Sequence, residues 1–229
     1  PLVDALTVQT RVLAGAGRPS SRSARSGTGG TARGELRMRI IRTIAELREA
    51  VRAARQDGRS VGLVPTMGAF HEGHLSLMRE ARAHNDLVVV SLFVNPTQFG
   101  PNEDLSRYPR DEARDAELAE GEDATSSSPP NPPRSTPDGF ATTIHISGIT
   151  DVLDGASRGA HHFDGVATVV AKLFGIVAPD AAYFGRRTRS RCSWFAGSCA
   201  TESRRRDRAC PIVREPDGLA MSSRNVYLG

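Results

Sequence analysis

The sequence predicts an α/β protein, a Rossmann-like parallel sheet with helices on both faces, and three observations predict it. Short apolar runs, VGLVP (61–65), DLVVVSLFV (86–94) and DAAYFG (180–185), alternate with segments of helical period, the pattern of repeated βαβ units. The second run is apolar almost throughout, as strands covered on both faces are. The first run passes through small residues straight into a helix start, TMGAFHEGH (66–74), and ligands of such sheets bind at the carboxyl ends of the strands.

Residues 1–37 turn rich in Gly, Ser and Arg after residue 15. That composition buries no core, so the segment reads as a disordered leader or a misplaced start, with Met38 a natural beginning. It is Arg- and Ser-rich and acid-poor, but has no amphipathic stretch and no apolar signal region. One domain is expected over 38–229. Thr43 caps a helix through AELREAVRAARQDG that ends at Gly58. VGLVP is a short buried strand, and HEGHLSLMREARAH a helix with Leu75, Leu77 and Met78 among its apolar positions. DLVVVSLFV is a strand, RDEARDAELAEG resumes the helical period, and TTIHIS (142–147) reads as a strand. GVATVVAKLFGIV (165–177) is long enough to favour a helix, and DAAYFG is a strand entering a turn.

The chain has 229 residues, 38% hydrophobic and 24% charged, enough for one globular core. No apolar run approaches a membrane span. Cys192, Cys199 and Cys210 are too few and too unevenly spaced for a disulfide framework or a zinc site, and a cytoplasmic setting fits best. The net charge of +4 resides in two segments: residues 1–37 are at +4 and residues 186–208 at +6, so the remainder is acidic. Nucleic-acid binding needs arginines on a folded face with aromatics between them, and only Trp194 and Phe195 answer. No nucleic-acid or membrane partner is expected.

Three pieces carry chemistry. In TMGAFHEGH, Gly68 and Ala69 are small enough for a phosphate chain to approach the backbone, and the following helix offers its N–H groups and positive dipole end. His71 and His74 share one helical face there and can donate to phosphate oxygens. An H-x-x-H pair alone is commonly a solvent-facing helix start; the preceding strand and turn give it weight. In FVNPTQFGPNEDLSRYPRD (93–111), Asn95 and Gln98 follow an apolar strand and would project into the same crevice, neutral amides suited to hydroxyl or carboxylate groups, with Pro96 and Pro101 stiffening the loop. In REPDGLAMSSRNVYL (214–228), Ser222, Ser223 and Arg224 make a clamp of hydroxyls, backbone donors and a guanidinium fork.

Together these stretches, with IRTIAELR, PDGFATTIHI, DVLDGASR and HFDGVATVVAKLFGIVAPDAAYFG, resemble the pantothenate synthetase family of HxGH nucleotidyltransferases over most of 39–185 and 212–228. The resemblance implies an AMP-forming ligase that joins pantoate to β-alanine at the expense of ATP, usually with Mg²⁺, through a pantoyl adenylate. It implies an ATP site lined by Met67, Gly68, Ala69, Phe70, His71, Glu72, Gly73 and His74. His74 would be the proton donor and His71 a phosphate contact. Gly185, Val213, Met221, Ser222, Ser223 and Arg224 would complete the site around adenine and phosphates. Gln98, with Asn95 beside it, would hold pantoate near β-alanine. No protein-held metal is implied, and a homodimer through the nucleotide domain is allowed.

The chain also departs from the pattern. After Gly185 the family carries Gly-x-Lys-Asp and a nearby glutamine; here Arg187 stands for the lysine, Thr188 for the aspartate and Arg191 for the pantoate-holding glutamine. Residues 124–137 and 186–211 hold a Pro, Ser and Arg excess that GC-rich codons read out of frame would produce, and they are expected to supply no strand or helix. In SRGAHHFDG (157–165) one residue is extra and a proline is gone, which leaves Arg158 and His162 without assigned roles. The family's small C-terminal domain is expected to be missing. An impaired copy of the enzyme is therefore expected. Alternatives that use the same residues are another HxGH transferase, a catalytically silent nucleotide binder and an Arg-rich interaction module.

Overall fold

A computed structural model describes residues 9–14, 39–100, 103–121, 142–145, 160–186 and 206–228. In chain order these form β1 (Gln9–Ala14), β2 (Arg39–Ile41), α1 (Ile44–Gln56), β3 (Val61–Thr66), α2 (Glu72–His84), β4 (Leu87–Leu92), α3 (Glu112–Glu120), α4 (Ala160–Val177), β5 (Ala181–Gly185) and β6 (Arg206–Cys210). Two 3₁₀ turns, Pro96–Gln98 and Ser223–Tyr227, complete them. The strands lie in one sheet in the order β2-β1-β4-β3-β5-β6. β4, β3, β5 and β6 run parallel, and β1 is antiparallel to both neighbours. The α/β class expected from the sequence is the one observed.

Alternation along the strands sorts the core into two layers. Val61, Leu63, Leu87, Val89, Ala182 and Phe184 face α1 and α4. Val64, Val88, Val90, Leu92, Ala181 and Tyr183 face α2, with Ala119 of α3 on the same side. Successive side chains of a strand point to opposite faces, so β4 can be apolar throughout only because both faces are covered; every residue of it is buried. Full burial of each such side chain contributes about 1.5–3 kcal/mol. At α1 the local chemistry is complete: Thr43 Oγ1 accepts from Glu46 N at 3.2 Å, and Glu46 Oε2 accepts from Thr43 N at 3.3 Å, a reciprocal capping box. Gly58, at φ 71°, ends the helix.

The structure departs from three sequence expectations. Residues 9–14, inside the supposed leader, pair with β4 from Gln9↔Leu92 to Ala14↔Leu87; the open edge of β4 accepts a partner strand, and a six-residue run is too short to register against Gly-, Ser- and Arg-rich surroundings. Residues 206–210, in the anomalous stretch, pair with β5 from Ala181↔Arg206 to Gly185↔Cys210. Backbone pairing needs no apolar side chain, so RDRAC serves as a strand against its composition. Residues 142–145 form no strand; Ile144 N donates to Thr168 Oγ1 of α4 at 2.9 Å instead. The stretch 124–137 lies outside the described residues. Among the described residues no helix is long and apolar enough to cross a membrane.

One close approach positions the site. Against α4, the backbone of the Pro96–Gln98 turn comes so near that a Cβ on Gly165 would collide with Thr97 O and lie 2.7 Å from Gln98 N. Gly175 of the same helix has nothing within 4 Å of its would-be Cβ. Gly165→Ala is therefore expected to destabilise the chain by about 1–3 kcal/mol through overpacking, whereas Gly175→Ala should be neutral or stabilise by about 0.5–1 kcal/mol. Urea unfolding of the two variants checks the contrast, and equal effects would refute the clasp.

Candidate active site

The connection from β3 to α2 builds the centre of the site. Thr66 ends β3 with Oγ1 donating to Ser91 O at 2.6 Å while accepting from Gly68 N at 3.3 Å. Gly68 (φ 83°) and Ala69 (φ 51°) then turn in the left-handed region, which glycine adopts freely and alanine does not. His71 is the N-cap of α2, its Nδ1 accepting from Gly73 N at 3.1 Å. His74 Nδ1 accepts from His71 N at 3.4 Å. The two rings lie 4.1 Å apart, and a Cβ on Gly73 would meet the His71 ring at 2.8 Å. Only glycine fits between the histidines in this arrangement.

These bonds decide the tautomers. A neutral imidazole whose Nδ1 accepts carries its proton on Nε2, so both rings are hydrogen-bond donors at Nε2 without being charged. Burial keeps them neutral: it lowers the His74 pKa to about 3, with His71 adding to the shift. Burial likewise lowers that of His71, opposed by the Glu215 carboxylate.

Two adjoining cavities meet at His74. The first, of 460 Å³, is walled by Met67, His71, Gly73 and His74 on one side and by Gly185 at the end of β5. Val213, Met221, Ser222, Ser223 and Arg224 close the other side. The histidine and serine–arginine pieces picked out by the sequence thus converge here. Met221 N donates to Val213 O at 3.0 Å, folding residues 213–221 back on themselves about Gly218, and Ser223 Oγ donates to Ala69 O at 3.0 Å, tying the serine segment to the histidine turn. The second cavity, of 200 Å³, shares Met67, His74, Tyr108, Phe184 and Arg224 with the first. Val166, Val169, Val170 and Leu173 of α4 give it an aliphatic wall, and Gln98 and His162 supply polar groups.

Several expected contributors stand elsewhere. The N–H groups of Ala69 and Phe70 donate to Asp115 at 2.8 and 2.6 Å, so this backbone, with that of Gly68, is engaged by protein groups instead of lying open to a phosphate. Phe70 is buried in the core against α2, and Glu72 is exposed and paired with Arg79. Asn95, 2% exposed, does not reach either cavity; its Oδ1 caps the 3₁₀ turn and its Nδ2 donates to Gly165 O at 2.9 Å. Arg224 lines both cavities, but its Nε and Nη2 already grip Asp104 at 2.9 and 2.8 Å, and the guanidinium lies over the Phe99 and Tyr108 rings. Arg158, Arg187 and Arg191 fall outside the described residues. No group of three or more His, Cys, Asp or Glu that could hold a metal occurs among the described residues.

Sequence reasoning missed Asp104, Asp115 and the function of His162. His162 is 6% exposed, and its Nδ1 donates to Gln98 O at 2.5 Å, fixing the turn that presents the Gln98 side chain. Gln98 Nε2 in turn contacts Met67 Sδ at 2.6 Å. Asp115 had a legible signal, since a carboxylate recurs at the helical spacing of Ala119 on the apolar side of α3.

The histidine pair makes the fold acid-sensitive. His74 has a folded-state pKa of about 3 against an ordinary 6.5, so below pH 6.5 the unfolded chain binds a proton that the folded chain refuses. The stability it contributes is complete above pH 6.5 and is lost as pH falls toward 3. Urea midpoints compared at about pH 7 and about pH 5 should fall further for the unmodified chain than for His74→Gln; parallel losses would refute the assignment.

The family model described as pantoate-beta-alanine ligase matches residues 39–229. A pantothenate synthetase of Moorella thermoacetica is 52% identical over 198 residues, 83% of this chain and 68% of the relative. One from Roseiflexus castenholzii is 54% identical over 192 residues, with the same coverage. The crystal structure of pantothenate synthetase from Thermus thermophilus superposes with a TM-score of 0.72 at 45% identity, covering 81% of this chain and 66% of that one. Pantoate-beta-alanine ligase from Francisella tularensis, complexed with beta-gamma ATP and beta-alanine, gives 0.73 at 35% identity, covering 81% and 71%. The chain thus spans about two thirds of the length of these relatives, and the match across residues 39–229 makes it a member of the pantoate–β-alanine ligase family.

Proposed function

We propose that the chain catalyses the ATP-dependent joining of pantoate to β-alanine, releasing AMP and pyrophosphate. The observation that carries this reading is the pair of adjoining cavities with His74, Met67 and Arg224 in their shared wall. The larger offers neutral imidazole donors and serine hydroxyls to a nucleotide. The smaller sets one amide, Gln98, against valines and a leucine, which suits an acid with hydroxyls and a branched, methylated carbon.

The shared wall is where the two substrates would touch. In the first step a carboxylate oxygen of pantoate attacks the α-phosphorus of ATP, the bond to the bridging oxygen breaks, and pyrophosphate leaves with its electron pair. The Nε2–H groups of His71 and His74 would donate to the phosphate oxygens as charge develops on them. With so low a pKa, His74 acts as a hydrogen-bond donor in this reading and not as an imidazolium acid. In the second step the β-alanine amine attacks the pantoyl carbonyl carbon, AMP departs, and the ammonium that forms loses a proton. Mg²⁺, when bound, would neutralise triphosphate charge; magnesium is held mostly by substrate phosphates with one or two carboxylates, so the lack of a protein cage among the described residues is compatible with it. Arg224, which lines both cavities, would in this reading meet a phosphate oxygen through guanidinium donors beyond the two that bind Asp104. Arg187 in place of lysine, and Arg191 in place of glutamine, are expected to slow turnover, because a planar guanidinium does not substitute for a point charge or a neutral amide. A homodimer and a cytoplasmic setting remain part of this reading.

Pantoate-dependent incorporation of pyrophosphate into ATP tests the first step without requiring the second. Exchange should need pantoate and not β-alanine; exchange driven by a different acid and not by pantoate would overturn the substrate assignment. Gln98→Ala should raise the pantoate KM by about tenfold or more while moving the ATP KM little, because it leaves a bound hydroxyl or carboxylate unpaired. An unchanged pantoate KM would remove Gln98 from the pocket.

A further inference from the structure

We infer that Asp115 is the positioning residue of the histidine pair: its carboxylate occupies the backbone donors of the β3–α2 turn and so sets where His71 and His74 stand. The catalytic consequence rests on the proposed function; the positioning itself rests on geometry.

Consecutive N–H groups around left-handed residues form a concave nest that takes an anion. Here the nest at Ala69 and Phe70 is filled from within the chain. Asp115 Oδ2 accepts from Ala69 N at 2.8 Å and Oδ1 from Phe70 N at 2.6 Å, with the aspartate 3% exposed. The fit extends to the preceding residue, since a Cβ on Gly68 would lie 2.9 Å from Asp115 Oδ2. On its other side the same segment is held by Ser223 Oγ, which donates to Ala69 O at 3.0 Å. Ala69 therefore sits in a left-handed conformation, at φ 51°, that costs a non-glycine residue about 1–2 kcal/mol and persists because its N–H and C=O are both engaged.

The next few residues carry this constraint to the imidazoles. Phe70 is in the core, His71 caps α2, and His74 takes its Nδ1 bond from His71 N. His71 thus directly follows a residue held by the carboxylate, and His74 is tied to His71 N by a hydrogen bond. The arrangement also separates two tasks that one nest often combines: the backbone donors hold the turn, and the side-chain Nε2–H groups are left to meet the phosphates. Asp115 touches no substrate in this scheme.

The test uses the full chain with Asp115→Ala and the milder Asp115→Asn, read by thermal unfolding, by amide and imidazole nuclear magnetic resonance, and by binding of α,β-methylene ATP. In the unmodified chain the Ala69 and Phe70 amide protons should resonate far downfield, as donors to a carboxylate do. Asp115→Ala should abolish that shift, displace the His71 and His74 ring resonances, and weaken nucleotide binding by about tenfold or more. Added formate, a carboxylate small enough for the emptied nest, should restore the amide shifts, the ring resonances and the affinity in part, which a merely structural loss would not allow. If Asp115→Ala fails to fold, Asp115→Asn, which keeps one acceptor in the nest, carries the amide, ring and affinity readings without the formate arm, and ring resonances unmoved in it overturn the inference. Ring resonances unmoved in a folded variant, or moved and indifferent to formate, overturn the inference. If the unmodified chain binds no nucleotide while the ring resonances still move and recover, the proposed function falls and the positioning role stands.

Discussion

The site depends on one constraint: the chain must leave β3 and enter α2 within a few residues, turning left-handed at Gly68 and Ala69. A strand end and a helix start so close together leave several N–H groups without intrahelical partners. The sequence answers each of them locally or from α3. Thr66 takes Gly68 N, Asp115 takes Ala69 N and Phe70 N, His74 takes His71 N, and His71 takes Gly73 N. Two of these acceptors are imidazole nitrogens, so the caps that satisfy the helix also fix the tautomers of His71 and His74. Local structure and chemistry are the same set of bonds.

Charge is arranged with similar economy. The histidines are kept neutral by burial, so the polar cavity presents donors without gathering positive charge that would have to be desolvated. The formal cation at the junction, Arg224, is held by Asp104 through two bonds and lies over two aromatic rings. Bidentate pairing with stacking fixes a guanidinium better than a single contact. The fork that the sequence suggested for phosphate is thus committed to a carboxylate.

The substrate-sized spaces come from packing between elements that are distant in the chain. α4 approaches the Pro96–Gln98 turn through Gly165, and Asn95 and His162 each bridge the two with a hydrogen bond. Asn95 is spent in that bridge, which is why an amide at the end of a strand does not reach the crevice while Gln98, three residues on, does. Spacing along a sequence places both residues near the strand's carboxyl end and cannot tell which side chain is needed to tie the turn down.

Much of the fold was legible because its causes are local. The capping box at Thr43 and Glu46, the apolar run of β4 and the length of the 165–177 segment each specify an element without outside help. The histidine, amide and serine–arginine motifs named His71, His74, Gln98, Ser222, Ser223 and Arg224, which line the two cavities. Tertiary structure alone decided the rest, because those outcomes depend on partners far away in sequence. It placed Gln9–Ala14 on the open edge of β4 and made a strand of RDRAC, because strand pairing is a contract between backbones that side-chain composition does not reveal. It gave the nest to Asp115 and the fork of Arg224 to Asp104, because which anion satisfies a donor is settled by distance across the fold, and distance across the fold is what a sequence does not contain.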